Sequence, residues 1–288
     1  MTPPEPFRFA VVAELTYPPD HWRDLVRRCE TLGYDALYVT DHAHQRLSPI
    51  PALTAAATLG DRLRLGTYVL NNDLRDPALV TRDLLTLHAL SGHRAILGLG
   101  AGWLPADYRD TRLPLEPGPL RYERLRTALD TVRAVLAAAD HAPPLLVGGA
   151  RRRILTLAGQ QADIVSIVPP LGPTGPLDPA DGLPERVDAR MNWVREGAVG
   201  RPRPPLLNHL VWACLVTEDP SPVRAALAAH LGHSLKDVAR MVPYLIGTVD
   251  EVAEALLARR ERWGFSLVTV PEAAVETFVP VMSLLRGR

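Results

Sequence analysis

The chain has 288 residues, with 32 basic against 32 acidic side chains and no formal net charge at pH 7. A hydrophobic content of 47% against 22% charged residues is enough for a packed core and excludes disorder as the main state. The balanced charge lacks the basic footprint of a dedicated nucleic-acid binder. Cys29 and Cys214 are too few for a disulfide framework or a thiolate zinc site, and each falls in an apolar run where cysteine acts as a small buried hydrophobe. Met1 to Pro6 has neither the basic nor the apolar region of a secretory signal, and no apolar stretch reaches the ~20 residues needed to cross a bilayer. A soluble, cytoplasmic protein is expected. Lys236 is the sole lysine, so lysine-based covalent or general-base chemistry rests on one candidate in a helical-looking stretch.

In chain order, short apolar runs alternate with longer amphipathic segments. Phe7 to Ala13 predicts a strand, and His21 to Leu32 a helix with Trp22, Leu25, Val26, Cys29 and Leu32 at helical spacing, stopped by Gly33. Ala36 to Thr40 is the second strand, and Ala52 to Leu59 a short helix. Leu63 to Leu70 is the third strand, followed by a helix from Pro77 to Leu90. Arg94 to Leu99 is the fourth strand, Arg121 to Ala139 the longest helix, and Leu145 to Val147 the fifth strand. A helix over Ile154 to Gln161, a strand over Asp163 to Val168 and a helix over Leu183 to Glu196 follow. Leu206 to Thr217 is the seventh strand; helices run from Pro222 to Ala229 and from Val249 to Trp263. Leu267 to Val270 is the eighth strand, and Pro271 to Leu285 a closing helix.

Eight near-continuous apolar strands separated by helices predict a parallel sheet covered by helices. At this length a closed eightfold α/β barrel fits better than an open sheet, as one domain spanning 1–288. Two connections exceed ordinary loop length, Pro169 to Pro184 after strand six and His230 to Thr248 after strand seven. Segments of that length tend to be lids or binding elements, and the first could equally be a mobile surface loop.

Chemistry in such a barrel sits at the carboxyl ends of the strands. Those ends carry Glu14, then Asp41 and His42, Asn71 and Asn72, the run Gly98 to Trp103, and Gly148, Gly149 and Arg151. A histidine beside an acid can be held in one tautomer and suits proton transfer; the bland alternative is a loop-capping histidine. His44 adds a His-x-His pattern, but His93 precedes its strand and His88 lies on a helix, so no metal cage is read. The glycine run misses the dinucleotide spacing because Trp103 stands at the third glycine position. It suits backbone approach to a flat ligand with Trp103 as a wall, or tight barrel packing. Gly148, Gly149 and Arg151 run from strand into helix and make an anion site suited to a phosphate-bearing cofactor, with a surface ion pair for Arg151 as the alternative. Asn71 and Asn72 suit the edges of a ring or a polyol tail; plain turn chemistry explains them nearly as well.

Six segments carry a resemblance. Leu37-Tyr-Val-Thr-Asp-His42, Leu63-Arg-Leu-Gly-Thr-Tyr-Val-Leu-Asn-Asn-Asp73, Gly98-Leu-Gly-Ala-Gly-Trp103, Leu146-Val-Gly-Gly-Ala150 and Ile246-Gly-Thr-Val-Asp-Glu-Val252 resemble the bacterial luciferase-like superfamily, as does Ala162-Asp-Ile-Val165. The chain is most similar to the actinobacterial oxidoreductases that use the deazaflavin coenzyme F420. The resemblance implies a (β/α)8 barrel holding F420, or alternatively FMN, at its carboxyl face, and a homodimer. It implies that Asp41 and His42 lie near the ring, with His42 moving a proton as hydride moves. It places a non-proline cis peptide at Thr67 and Tyr68, puts Gly100, Gly102 and Trp103 beside the cofactor, and gives its phosphate to Gly148, Gly149 and Arg151. The chain departs from relatives at Asp107-Tyr108, where they often carry Glu-Tyr. It departs again at Trp103, where some deazaflavin dehydrogenases carry a glutamate, which argues against oxidation of a sugar phosphate. The implied activity is hydride transfer between F420 and an organic substrate, by reduction of an activated double bond or imine. An FMN monooxygenase using oxygen and a non-catalytic ligand-binding barrel are the alternatives.

Overall fold

The computed structural model describes residues 5–172, 175–176 and 178–288. In chain order the strands are β1 (Arg8–Ala13), β2 (Ala36–Val39), β3 (Arg64–Thr67), β4 (Leu70–Asn71), β5 (Ala95–Gly100), β6 (Leu145–Gly149), β7 (Ile164–Ile167), β8 (Leu171–Gly172), β9 (Gly175–Pro176), β10 (Leu206–Leu210), β11 (Ala213–Val216), β12 (Tyr244–Gly247) and β13 (Phe265–Pro271). The α-helices are α1 (Pro19–Leu32), α2 (Pro49–Ala56), α3 (Pro77–Leu90), α4 (Pro105–Thr111), α5 (Gly118–Ala137), α6 (Arg152–Gln161), α7 (Pro184–Ala198), α8 (Ser221–Leu231), α9 (Leu235–Arg240), α10 (Val249–Trp263) and α11 (Val279–Leu285). Eight parallel strands, β1, β2, β3, β5, β6, β7, β10 and β13, close on themselves through β13 against β1 and β3 against β5. This is the expected (β/α)8 barrel, with additional elements after its sixth and seventh strands. No helix among the described residues is long and apolar enough to cross a membrane.

Continuous apolar strands serve both faces of the wall. Outward residues such as Phe9, Val11, Leu97 and Val147 pack under the helices, whereas Ala10, Tyr38, Tyr68, Ile96, Leu146 and Leu267 fill the interior. Both cysteines are buried, as their apolar surroundings predict. Three interior positions break the apolar pattern and satisfy one another instead. Asn208 donates to Tyr68 Oη at 2.8 Å and to Ser166 Oγ at 3.1 Å, and accepts from Thr269 Oγ1 at 2.8 Å. Tyr68 and Ser166 share a further hydroxyl contact. Buried polar atoms are tolerated when paired in this way.

The element boundaries depart from expectation in several places, among them α9 and β12 inside the long His230 to Thr248 connection. The run Leu63 to Leu70 is not one strand: a cis peptide joins Tyr68 and Val69, and β4 resumes by pairing Leu70 with Leu99 and Asn71 with Gly100. Leu206 to Thr217 is two strands. Val211 N–H makes a barrel-side bond to Thr269 O at 2.8 Å, whereas Trp212 N–H turns to Pro243 O at 2.8 Å. From there β11 leaves the barrel and pairs in parallel with β12. The closing helix starts at Val279 rather than Pro271, because β13 extends to Pro271 and a 3-10 turn over Glu272–Ala274 intervenes. Finally, the polar segment Pro105–Thr111 forms α4, too short for a periodic signal. Part of the long Pro169 to Pro184 connection, at positions 173, 174 and 177, lies outside the described residues, as do the first four residues of the expected signal-free start.

The β11–β12 layer is fastened by α10. Buried Arg259 donates to Val242 O at 2.8 Å, Met241 O at 3.2 Å and Tyr244 O at 3.1 Å. His209 Nε2 meets the same Val242 carbonyl at 2.8 Å. Burial first, and the Arg259 charge second, push His209 down to about 3, so it is neutral.

Barrel closure at β3–β5 depends on Gly98. Its N–H donates to Thr67 Oγ1 at 2.8 Å, and that hydroxyl donates back to Gly98 O at 2.9 Å. A Cβ at Gly98 would fall far inside contact distance of the Thr67 carbonyl oxygen. Gly98→Ala is therefore expected to destabilise the fold by about 3 kcal/mol in urea unfolding. Gly118→Ala, where a Cβ would meet nothing within 4 Å, should change stability by less than about 0.5 kcal/mol. Equal effects of the two substitutions would refute the packing account.

Candidate active site

The carboxyl ends of β2, β4, β5 and β6 bring most of the expected polar residues to one face of the barrel, each held by a different element. Asp41, 5% exposed, does not contact its neighbour's imidazole. Both its oxygens are taken by the guanidinium of Arg75, one at 2.8 Å, and Oδ2 also accepts from Asn71 N–H at 2.9 Å. The acidic partner of His42 is instead Asp107, from α4. Asp107 Oδ2 lies 3.0 Å from His42 Nδ1, and Oδ1 accepts from Ala43 N–H at 2.9 Å. The expectation that Asp41 holds the histidine is corrected accordingly: a guanidinium has claimed that carboxylate. His42 N–H is fixed by Gln45 Oε1 at 3.0 Å. The imidazole is 22% exposed, and its Nε2 bonds to no described residue.

Trp103, 37% exposed, stands perpendicular to His42 with ring centroids 6.0 Å apart, and His44 stacks on His42 at 5.6 Å. Among the described residues no group of three or more His, Cys, Asp or Glu is placed to hold a metal ion.

Asn71 caps the turn after β4 by accepting from Asp73 N–H at 3.1 Å, and Tyr108 fixes that turn by donating to Asp73 Oδ2 at 2.8 Å. Burial, then the Asp73 carboxylate, push the Tyr108 hydroxyl up to about 12, so it stays a donor. Arg124 adds a bidentate pair to Asp73, both contacts at 2.9 Å. Turn chemistry thus uses half of the Asn71 amide. Asn71 Nδ2 and Asn72 Oδ1 are buried with no partner in the structure. An unpaired buried amide costs roughly 1–3 kcal/mol, so two adjacent ones call for a ligand or water.

The glycines divide by cause. At Gly102, in the left-handed region at φ 69°, a Cβ would collide with the Tyr108 hydroxyl and the Asn71 amide, so protein packing accounts for it. Gly100 is likewise filled by Val69, 2.6 Å from a Cβ, and Gly149 by Ile154 of α6. At Gly148 a Cβ would meet nothing nearer than 3.5 Å. Packing therefore does not require that glycine. Thr67 and Tyr68 lie beneath the face: Thr67 is fully buried on Gly98, and Tyr68, 8% exposed, points its hydroxyl into the interior network. The cis peptide expected around these two lies one bond later, at Tyr68–Val69, and the Val69 side chain bridges Gly100 and Gly148. Arg151 is the exposed N-cap of α6 and makes no side-chain cap bond. It forms no ion pair with a described residue, whereas Arg152 and Arg153 pair with Glu196 and Glu123.

The family described as Luciferase-like monooxygenase matches residues 6–191. The chain belongs to this family. Among relatives of this luciferase-like chain, 4-hydroxyprotoasukamycin monooxygenase of Streptomyces nodosus subsp. asukaensis is 31% identical over 121 residues, 40% of this chain and 32% of that protein. The 5,10-methylenetetrahydromethanopterin reductase of Methanolobus tindarius is 29% identical over 153 residues, 48% of this chain and 47% of that protein. The matched stretches thus span less than half of either relative. The solved coenzyme F420 dependent tetrahydromethanopterin reductase from Methanopyrus kandleri superposes with a TM-score of 0.76 at 18% identity, covering 98% of this chain and 100% of that one. That likeness is one of fold.

Sequence reasoning missed Arg75, Tyr108 and the role of Asp107. Arg75 lies in the turn between β4 and α3, and the other two lie in α4, where no hydrophobic period draws the eye. The Asp107-Tyr108 pair was visible only as a departure from the family's Glu-Tyr. Removing Arg75 should leave Asp41 buried and unpaired. Arg75→Ala is expected to cost about 3 kcal/mol in urea unfolding, and Arg75→Ala with Asp41→Asn to recover at least half of it. A double variant no more stable than the single one would show that the pair does not support this face.

Proposed function

We propose that the chain is an oxidoreductase transferring a hydride between coenzyme F420 and a small organic substrate, such as one with an activated C=C or C=N bond. Family membership supports redox chemistry, and a relative from Intrasporangium calvum named F420-dependent glucose-6-phosphate dehydrogenase, 37% identical over 83 residues, supports the deazaflavin. The observation that carries the proposal is His42: half-buried at the barrel mouth, tied at Nδ1 to Asp107 at 3.0 Å, with its other nitrogen free of described partners.

The residues fit a flat, phosphate-bearing cofactor. The unpartnered amide atoms of Asn71 and Asn72 offer one donor and one acceptor to the edge of a ring. Gly148 lacks a side chain where the protein has room for one. The N-terminus of α6 carries free backbone amides beside the Arg151 guanidinium, an arrangement suited to phosphate. Gly100, Gly102 and Gly149 shape this floor through packing, Thr67 and Tyr68 support it from below, and Trp103 walls it. When bound, the deazaflavin supplies the hydride donor or acceptor, which no side chain provides. The chain then needs to place substrate, exclude water and move one proton. His42 serves that last role at Nε2, with Asp41 acting only by fixing the β4 turn through Arg75 and Asn71.

A second reading, an FMN-dependent monooxygenase, is favoured by the family description and by the monooxygenase relative. It differs in requiring oxygen. Purified apoprotein titrated in parallel with F420 and FMN, followed by fluorescence, is expected to bind F420 more tightly by at least tenfold. Preference for FMN would move the assignment to oxygen chemistry, and binding of neither would leave a ligand-binding barrel. In the same titration Arg151→Ala should weaken cofactor binding by about tenfold, the loss of one charge-assisted phosphate contact.

A further inference from the structure

We propose that Asp107 is the positioning residue that decides which nitrogen of His42 carries the proton, holding the free histidine with hydrogen on Nδ1 and a lone pair on Nε2. The inference rests on the reading of His42 as the proton-transfer group, and extends it to the direction in which the imidazole is primed.

An ionised carboxylate only accepts hydrogen bonds. Asp107 spends Oδ1 on the Ala43 N–H at 2.9 Å, and its Oδ2 faces Nδ1 at 3.0 Å, so Nδ1 must be the donor. The other carboxylate near His42 in sequence cannot compete, since Asp41 is held by Arg75 and the Asn71 amide. Asp107 itself is 2% exposed and has little freedom to turn. Its amide bonds Leu104 O at 3.1 Å, and its carbonyl accepts from Thr111 Oγ1 at 2.6 Å. The next residue, Tyr108, is anchored on Asp73. The His42 backbone is held as well, its main-chain N–H donating to Gln45 Oε1 at 3.0 Å. Geometry on both sides therefore leaves one tautomer. In that tautomer Nε2 accepts a proton first and returns it later, with the Asp107 charge stabilising the doubly protonated ring in between.

Asparagine at this position reverses the choice without removing the contact. Its Oδ1 can keep the Ala43 bond while Nδ2 donates to His42 Nδ1, which must then accept, and the proton moves to Nε2. Uniformly 15N-labelled protein, with His42 identified by its loss in His42→Ala, is read by long-range 1H–15N correlation at a pH where the ring is neutral. Wild type should show the Nδ1–H pattern, Asp107→Asn the Nε2–H pattern, and Asp107→Glu the wild-type pattern. The other eight of the nine histidines serve as internal controls of folding. An unchanged His42 pattern in Asp107→Asn would overturn the proposal, as would an Nε2–H pattern in wild type. Where turnover is measured with F420 and a reducible substrate, Asp107→Asn should lower kcat by about 100-fold or more with KM within about threefold, and Asp107→Glu should restore most of it. A tautomer reversal accompanied by undiminished turnover in His42→Ala would retain the positioning of His42 but refute its part in the reaction.

Discussion

The barrel is closed at its narrowest pairing by one hydroxyl. Strands β3 and β5 meet directly only at Leu65–Ala95 and Gly66–Ile96 before the chain turns through Tyr68 and Val69. At that point Thr67 Oγ1 both receives and returns a hydrogen bond with Gly98, whose missing side chain lets the backbones approach. Everything above depends on this contact. It determines where β4 re-enters the sheet, and β4 in turn presents Asn71 and Asn72 at the mouth. It also sends the Tyr68 hydroxyl down to Ser166 and Asn208, so that the floor of the site and the interior of the barrel are one hydrogen-bonded unit.

Above that floor, three aspartates divide the work of neutralisation. Asp41 is matched by Arg75, and Asp73 by Arg124 with the Tyr108 hydroxyl. Both are pairs of fixed charge, and they hold the turn after β4 in one shape. Asp107 meets an imidazole instead of a guanidinium. The two arginine pairs occupy Asp41 and Asp73, which leaves Asp107 as the acid that holds His42.

The sequence is most informative where period and position coincide. Apolar runs located the barrel strands, and the strand carboxyl ends read from pattern are where the structure places His42, Asn71, Asn72, Gly148 and Arg151. The break at Val69 was not legible, because Leu63 to Leu70 alternates nothing that would mark a change of peptide geometry. Nor was the departure of β11, since Leu210 to Val216 is an unbroken apolar run and only the competing carbonyls of Thr269 and Pro243 divide it. Adjacency misled at Asp41. The residue beside a histidine in sequence points elsewhere once Arg75 is folded against it, and the true partner comes from 65 residues later. Glycine content misled in a similar way: Gly98, Gly100, Gly102 and Gly149 look like a ligand cradle, but protein atoms fill the space above each of them.

The β11–β12 layer shares no strand pairing with the barrel sheet. Its attachment combines the carbonyls gathered by the Arg259 guanidinium, with neutral His209 beside it, and the packing of Cys214, Val242 and Leu245 into the main core. Because its ladder is separate from that of the barrel, its amide protons can exchange through an opening that leaves the hydrogen bonds of the cylinder in place.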